Sequence, residues 1–127
     1  MKKIALITRN RIFAQSVAMI IEKYTDLEFE MHILQNQLQA VLDAQILSID
    51  VAVLELFSHF PEHIEIAIGI CKGLRESLPS CRILLIAPQD NDDIRNLAVN
   101  SVALHTVDDY VFYDVSLDYL LAKLLSM

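Results

Sequence analysis

Hydrophobic residues are laid along this chain in two alternating rhythms. Short, dominantly apolar runs occur at Ile4–Ile7, Val51–Leu56, Ile83–Ala87 and Tyr110–Tyr113. Successive strand side chains point to opposite faces, so runs apolar in both phases predict strands covered on both sides, as in a parallel sheet between helices. A fifth run, Leu27–Ile33, differs. Leu27, Phe29, Met31 and Ile33 alternate there with Glu28, Glu30 and His32, the pattern of a strand with one wet face. Such a strand belongs at a sheet edge.

Helical spacing fills the intervals. Ile12, Phe13, Val17, Ile20, Ile21 and Tyr24 recur at that spacing behind Asn10, a suitable cap. A second helix is predicted over Leu38–Leu47. A third starts after Pro61, carries Ile64, Ile68, Cys71 and Leu74, and is stopped by Pro79. A fourth opens in the acidic run Asp90–Asp93, which suits a positive helix N-terminus. The last follows Ser116 and carries Leu117, Leu120, Leu121 and Leu124.

Strand and helix alternate five times, giving a (βα)5 α/β domain with helices on both faces of a five-stranded, doubly wound parallel sheet. Of the common strand orders, the flavodoxin-like 2-1-3-4-5 places the second strand at an edge, where its alternation requires it. Both glycines, Gly69 and Gly73, fall inside the third helix and are expected to let it pack closely on the sheet. Neither can form a phosphate-cradling loop.

Composition narrows the function classes. The 127 residues fit one domain, and 54% hydrophobic residues supply one sizeable core. A formal net charge of −7, with ten scattered basic residues, argues against direct nucleic-acid binding or docking on anionic lipid. No run of about 18 apolar residues exists to span a membrane. The start, MKKIALIT, is too short in its apolar part for a signal peptide. Cys71 and Cys81 match no metal or disulfide spacing and read as buried thiols in a reducing cytoplasm. His59 and His63 stand four apart, but Pro61 between them argues against a metal site.

The strand ends carry a resemblance. IALITRNRIF (Ile4–Phe13), DVAVLEL (Asp50–Leu56), RILLIAP (Arg82–Pro88) and DDYVFYD, which ends at Asp114, resemble the strands of response-regulator receiver (CheY-like) domains, over the whole chain. Receivers are bacterial signalling domains of two-component phosphorelays and transcription regulators. The resemblance implies an acid pair holding Mg²⁺ after the first strand and a phosphoacceptor Asp after the third. It also implies a Thr or Ser after the fourth strand, and a Lys after the fifth with a switch aromatic three places earlier.

This chain departs from that pattern at each chemical position. Thr8 and Arg9, followed by Asn10, replace the acid pair; Glu55 stands at the acceptor; Ala87 replaces the hydroxyl; Tyr113 replaces the Lys. Tyr110 matches the switch aromatic, or is an ordinary aromatic of a half-buried strand. A guanidinium in the metal site disfavours a dication, and little is left to neutralise a transferring phosphoryl group. Two readings of Glu55 stay open: an ion pair with Arg9 that substitutes for the metal, or a solvated relic acid. Tyr113 is also placed to close the pocket by donating to Glu55.

The expectation is a degenerate receiver, or pseudo-receiver: not an enzyme, without cofactor or metal, cytoplasmic, working through protein–protein contact. Its partner would be an effector domain, which could follow in a longer regulator, or a second copy. The contact face would be the fourth helix, fifth strand and fifth helix, with Val99, Val102, Leu104, Val107, Phe112 and Tyr119 as candidates. The alternative is a small-molecule sensor using the crevice at the strands' carboxyl ends. An enzyme of this fold is the weakest class, because neither a phosphate-binding loop nor a strand-end Cys is present.

Overall fold

The computed structural model describes residues 2–23, 29–56, 60–88, 91–113 and 115–127. Its elements are β1 (Lys2–Ile7), α1 (Arg11–Lys23), β2 (Phe29–Leu34), a 3-10 turn (Gln37–Gln39), α2 (Ala40–Leu47) and β3 (Val51–Glu55), then α3 (Pro61–Ser77), β4 (Arg82–Ala87), α4 (Asp92–Ala103), β5 (Asp109–Phe112) and α5 (Leu117–Ser126). All strand pairs are parallel and the order is β2-β1-β3-β4-β5. The expected α/β architecture and strand order are therefore present, with β2 at an edge. Tyr24, Leu27, Glu28, His59, Asp90 and Asp114 lie outside the described residues.

Two cores follow from strand alternation. Ile4, Leu6, Val51, Val53, Leu84, Ile86 and Val111 point to one face, where Ala14 and Val17 of α1 and Leu120, Leu121 and Leu124 of α5 cover them. The intervening residues, including Ala5, Ile7, Ala52, Leu54, Ile83 and Leu85, point to the other face, under α2, α3 and α4. Each fully buried Leu or Ile contributes about 1.5–3 kcal/mol of transfer free energy, so these layers are the main stabilising term.

Three helices are capped by the Asn or Ser that precedes them, whereas Gln39 before α2 makes no side-chain cap. The Phe13 N–H donates to Asn10 Oδ1 at 3.0 Å, Ile94 to Asn91 Oδ1 at 3.1 Å and Tyr119 to Ser116 Oγ at 3.1 Å. α3 carries Pro61 in its first turn and ends at Ser77, two residues before Pro79.

Three expectations are corrected. Ile12 opens α1 facing solvent, 77% exposed, because Phe13, Ala14, Val17 and Ile20 define the buried face. Leu38 belongs to the 3-10 turn rather than to α2 and is also exposed. Of the glycines, only Gly73 is tight: a Cβ there would meet Val41 Cγ2 at 3.0 Å, so the close approach is of α3 to α2, not to the sheet, while Gly69 faces open space.

At the end of the sheet where β4 and β5 begin, Asp108 ties two connections together. Its Oδ2 accepts from the Ile83 N–H at 2.7 Å and lies 2.9 Å from Arg75 Nη2, and its Oδ1 lies 3.3 Å from Arg82 Nη1. Cys71 and Cys81 are buried free thiols. Burial pushes them up to about 12 and about 11, so both stay protonated and unreactive.

Candidate functional site

At the opposite end of the sheet, the carboxyl ends of β1, β3 and β5 bring three polar side chains together. Register explains the first contact. Leu6 pairs with Val53 and Ile7 with Leu54, so the next step along both strands sets Thr8 beside Glu55 on the α1/α5 face. Thr8 Oγ1 donates to Glu55 Oε2 at 3.0 Å, with both residues almost wholly buried. The Asn10 N–H in turn donates to Thr8 Oγ1 at 2.9 Å, so this hydroxyl is held in both of its roles as α1 begins.

Tyr113 closes the group from the other side. It follows β5 in the same phase as Val111, its N–H donates to the Ala87 carbonyl at 3.2 Å, and its phenol, on a residue still 38% exposed, lies near enough to Glu55 to favour the charged carboxylate. Phe13 of α1 meets its ring edge-on, with centroids 6.0 Å apart. The small cavity against this ring, about 30 Å³ and lined by apolar residues including Ile86, Val111 and Leu120, holds at most one water.

Burial dominates the electrostatics. It pushes the Glu55 carboxyl up, and the hydrogen bonds from Thr8 and Tyr113, which favour the charged form, offset only part of that. Burial likewise raises the Tyr113 phenol, helped by the Glu55 charge, so it remains a neutral donor. Replacing Tyr113 by Phe should cost no more than about 1 kcal/mol, because it removes a polar neighbour of a buried acid from a residue that is itself 38% exposed. The loss should grow with pH, as the missing phenol matters most to the carboxylate. Chemical denaturation at pH 5 and pH 8 measures both.

The other expected site residues are elsewhere. Arg9 points to the opposite face from Thr8 and is exposed; no ion pair joins it to Glu55 among the described residues. The proposed Arg9–Glu55 lock is thus replaced by a Thr8–Glu55–Tyr113 cluster, and the solvated-relic reading also falls, because Glu55 is only 2% exposed. Ala87 is buried in the α2/α3/α4 core rather than in this cluster. Tyr110 is half-buried against that same core and meets Phe112 edge-on at 5.3 Å, with the Arg95 guanidinium 5.8 Å over the Phe112 ring.

Mg²⁺ does not fit here. Glu55 is the one carboxylate of the cluster, and Thr8 spends its hydroxyl on it, so the hard oxygen donors a dication needs are not assembled. No group of three potential metal-binding side chains occurs among the described residues. Arg9 instead borders an open groove of about 500 Å³ with Gln35, Asn36, Gln37, Leu38 and Ile66. Sequence reasoning missed this groove because the residues come from three separate segments.

No protein-family model matches the sequence, and no curated protein matches it significantly. Solved structures do match the fold. A response regulator from Burkholderia pseudomallei superposes with a TM-score of 0.71 at 20% identity over 96% of this chain. This chain spans 65% of that one. A CheY-like receiver domain from Methanospirillum hungatei gives 0.74 at 13% identity, covering 99% of this chain and 92% of its own. A response regulator from Desulfuromonas acetoxidans gives 0.77 at 12% identity, covering 99% and 95%. With strand order, helix placement and these superpositions in agreement, the chain has the fold of a response-regulator receiver domain.

Proposed function

We propose that this chain is a receiver-like signalling domain that works through protein contacts and does not use aspartyl phosphorylation. The observation that carries the reading is the Thr8–Glu55–Tyr113 cluster. It occupies the strand ends where a receiver keeps its acids, and it fills them with a neutral hydroxyl, a phenol and one sequestered carboxyl. The Burkholderia relative was solved with a phosphorylated aspartic acid and a calcium ion. Here no such aspartate stands at the acceptor, and Glu55 has a hydroxyl on either side rather than an open approach.

Incubation with Mg²⁺ and acetyl phosphate should therefore add no phosphoryl mass. Beryllofluoride with Mg²⁺ should leave the tyrosine fluorescence and amide spectrum unchanged. A phosphorylated Glu55 would overturn the reading.

The face offered to a partner is that of α4, β5 and α5. Val107 is core and Val102 and Phe112 are half-buried, leaving Val99, Leu104 and Tyr119 exposed, with Leu125 also exposed further along α5. Asp92, Asp93 and Asp118 fringe it, so it suits an effector protein with a basic rim better than a second acidic copy. Such an effector, in the same polypeptide or another, would carry any contact with nucleic acid. No described helix is long and apolar enough to cross a membrane, and a cytoplasmic site of action is part of the proposal.

The groove beside Arg9 favours one second reading, a sensor for a small anion or polar metabolite held by the guanidinium and the amides of Gln35 and Gln37. A ligand of that kind must raise the melting temperature of the wild type and not that of Arg9→Ala. A screen in which both proteins respond alike removes this reading.

A further inference from the structure

We propose that the outward face of α2 is where two copies of this chain meet. Leu38, Leu42 and Ile46 stand four residues apart and are 88%, 54% and 72% exposed. Leu42 and Ile46 line one side of α2, and Leu38 stands in the 3-10 turn that leads into it, so the three prolong one apolar ridge. The fold does not need the ridge, because α2 is already anchored through Ala40 and Ala44, which are fully buried, and through Val41 against Gly73. An exposed helix normally carries polar residues outside; this one is apolar on both sides.

Charge identifies the occupant. The chain carries a net −7, so two copies repel over most of their surfaces. Along the α2 segment itself they do not. Every exposed residue between Glu30 and Asp50 is uncharged, and the one charge in that interval, Asp43, is half-buried. Gln35, Gln39 and Gln45 flank the ridge. A glutamine amide both donates and accepts, so it can pair with its own symmetry mate, which no charged side chain can do. The segment's own surface of aliphatic knobs and amides, with Arg9 across the groove at its Leu38 end, carries no exposed acid and is complementary to itself, the requirement of a two-fold interface.

In such a pairing the i±4 ridges interleave at about −50°, Leu42 lies next to its copy at the axis, and Leu38 meets the Ile46 end of the other helix. Three ridge side chains with flanking amides bury less than the ~800 Å² per partner of a stable dimer. Association is therefore concentration-dependent, with a dissociation constant on the order of 10–100 µM.

Sedimentation velocity of the whole chain from about 5 to about 500 µM tests this. The expected result is a shift from monomer to dimer across the series. Leu42→Glu, which sets two carboxylates at the axis, should abolish the shift. Leu104→Glu on α4 should leave it intact. A cross-link keeps the test decisive if Leu42→Glu unfolds: both native thiols are buried, so mild oxidation of Leu42→Cys should give a disulfide-linked dimer faster than Leu104→Cys does. The proposal is overturned if the wild type stays monomeric throughout. It is equally overturned if Leu104→Glu rather than Leu42→Glu disperses the dimer, or if the two cysteine variants cross-link at the same rate.

Discussion

Replacing Glu55 by Gln is expected to stabilise the protein by about 1–2 kcal/mol at pH 8, because the wild type must there bury a carboxylate whose desolvation its two hydroxyl partners do not fully offset. Gln is close to isosteric and keeps an oxygen for Thr8 and an amide for the Tyr113 hydroxyl, so packing is preserved. The pH dependence follows from linkage. The folded carboxyl is raised above its ordinary value of 4.5, so the fold prefers the protonated acid. Stability from this group is fully present below about pH 4.5, and it is lost as pH climbs through the raised folded value. The Gln variant has no such group. Its stability curve should meet that of the wild type toward pH 4 and lie above it from there upward. Urea denaturation at half-unit pH steps reads this directly. Parallel curves, or a variant that is weaker at pH 8, would show instead that Glu55 is a net stabilising anion and that the cluster works as a charged lock.

That cluster was partly legible in the sequence, and the illegible part has a physical reason. Glu55 and Tyr113 stand out because the resemblance to receiver strands puts them at the acceptor and Lys positions, at the carboxyl ends of neighbouring parts of the sheet. The possibility of Tyr113 donating to Glu55 follows from those positions. The Arg9–Glu55 pairing, attractive on charge alone, ignored the period of two. Ile4 and Leu6 face the α1/α5 core while Ala5 and Ile7 face the other, so Thr8 inherits the first direction and Arg9 the second. Val51 and Val53 send Glu55 toward Thr8 by the same rule. The signal was present in the strand alternation; opposite charge overrode it.

The fold itself was legible to within a few residues, because the β2 alternation and the helix caps at Asn10 and Ser116 are local signals. What local pattern could not reveal is which apolar residues face outward. Ile12, Leu38, Leu42 and Ile46 read as core material in any hydrophobicity count, yet they are turned to solvent by smaller neighbours, Ala14, Ala40 and Ala44, that fit the space against the sheet. α2 shows this most clearly: alanines fill its inner face, and the leucines and isoleucine that would overfill it lie outside. The distinction matters for function, since the α2 face and the α4/α5 face offer different chemistry. The first has no exposed acid of its own and meets Arg9 at its Leu38 end; the second carries Asp92, Asp93 and Asp118, with Arg95 3.7 Å from Asp92. One domain could therefore dimerise on one side of the sheet and engage an effector at the β5 edge without competition between the two.

Asp108→Ala is expected to cause the largest loss of stability of any single polar substitution described, about 2–4 kcal/mol. The residue lies just before β5, and three donors converge on its carboxylate. The Ile83 N–H at 2.7 Å belongs to a residue with no solvent exposure, so deleting its acceptor strands a buried donor. Arg75, whose Nη2 lies 2.9 Å away with only 27% of its side chain exposed, loses its countercharge. Its Nε and Nη1 contacts to the Thr106 and Cys81 carbonyls, at 3.3 and 3.4 Å, are too long to hold it alone. Arg82 is 62% exposed and contributes little, so Arg82→Ala should cost no more than about 0.5 kcal/mol. Asp108→Asn keeps an oxygen for Ile83 and should fall between, near 1 kcal/mol. The melting temperature of the Ala variant should drop by roughly 10 °C. A double-mutant cycle with Arg75→Ala separates the two effects: the Arg75–Asp108 coupling should be about 1 kcal/mol, the remainder belonging to the orphaned Ile83 amide. If Asp108→Ala melts within about 2 °C of the wild type, the convergence on this carboxylate is geometric coincidence, and the β4–β5 end of the sheet is held by apolar packing alone.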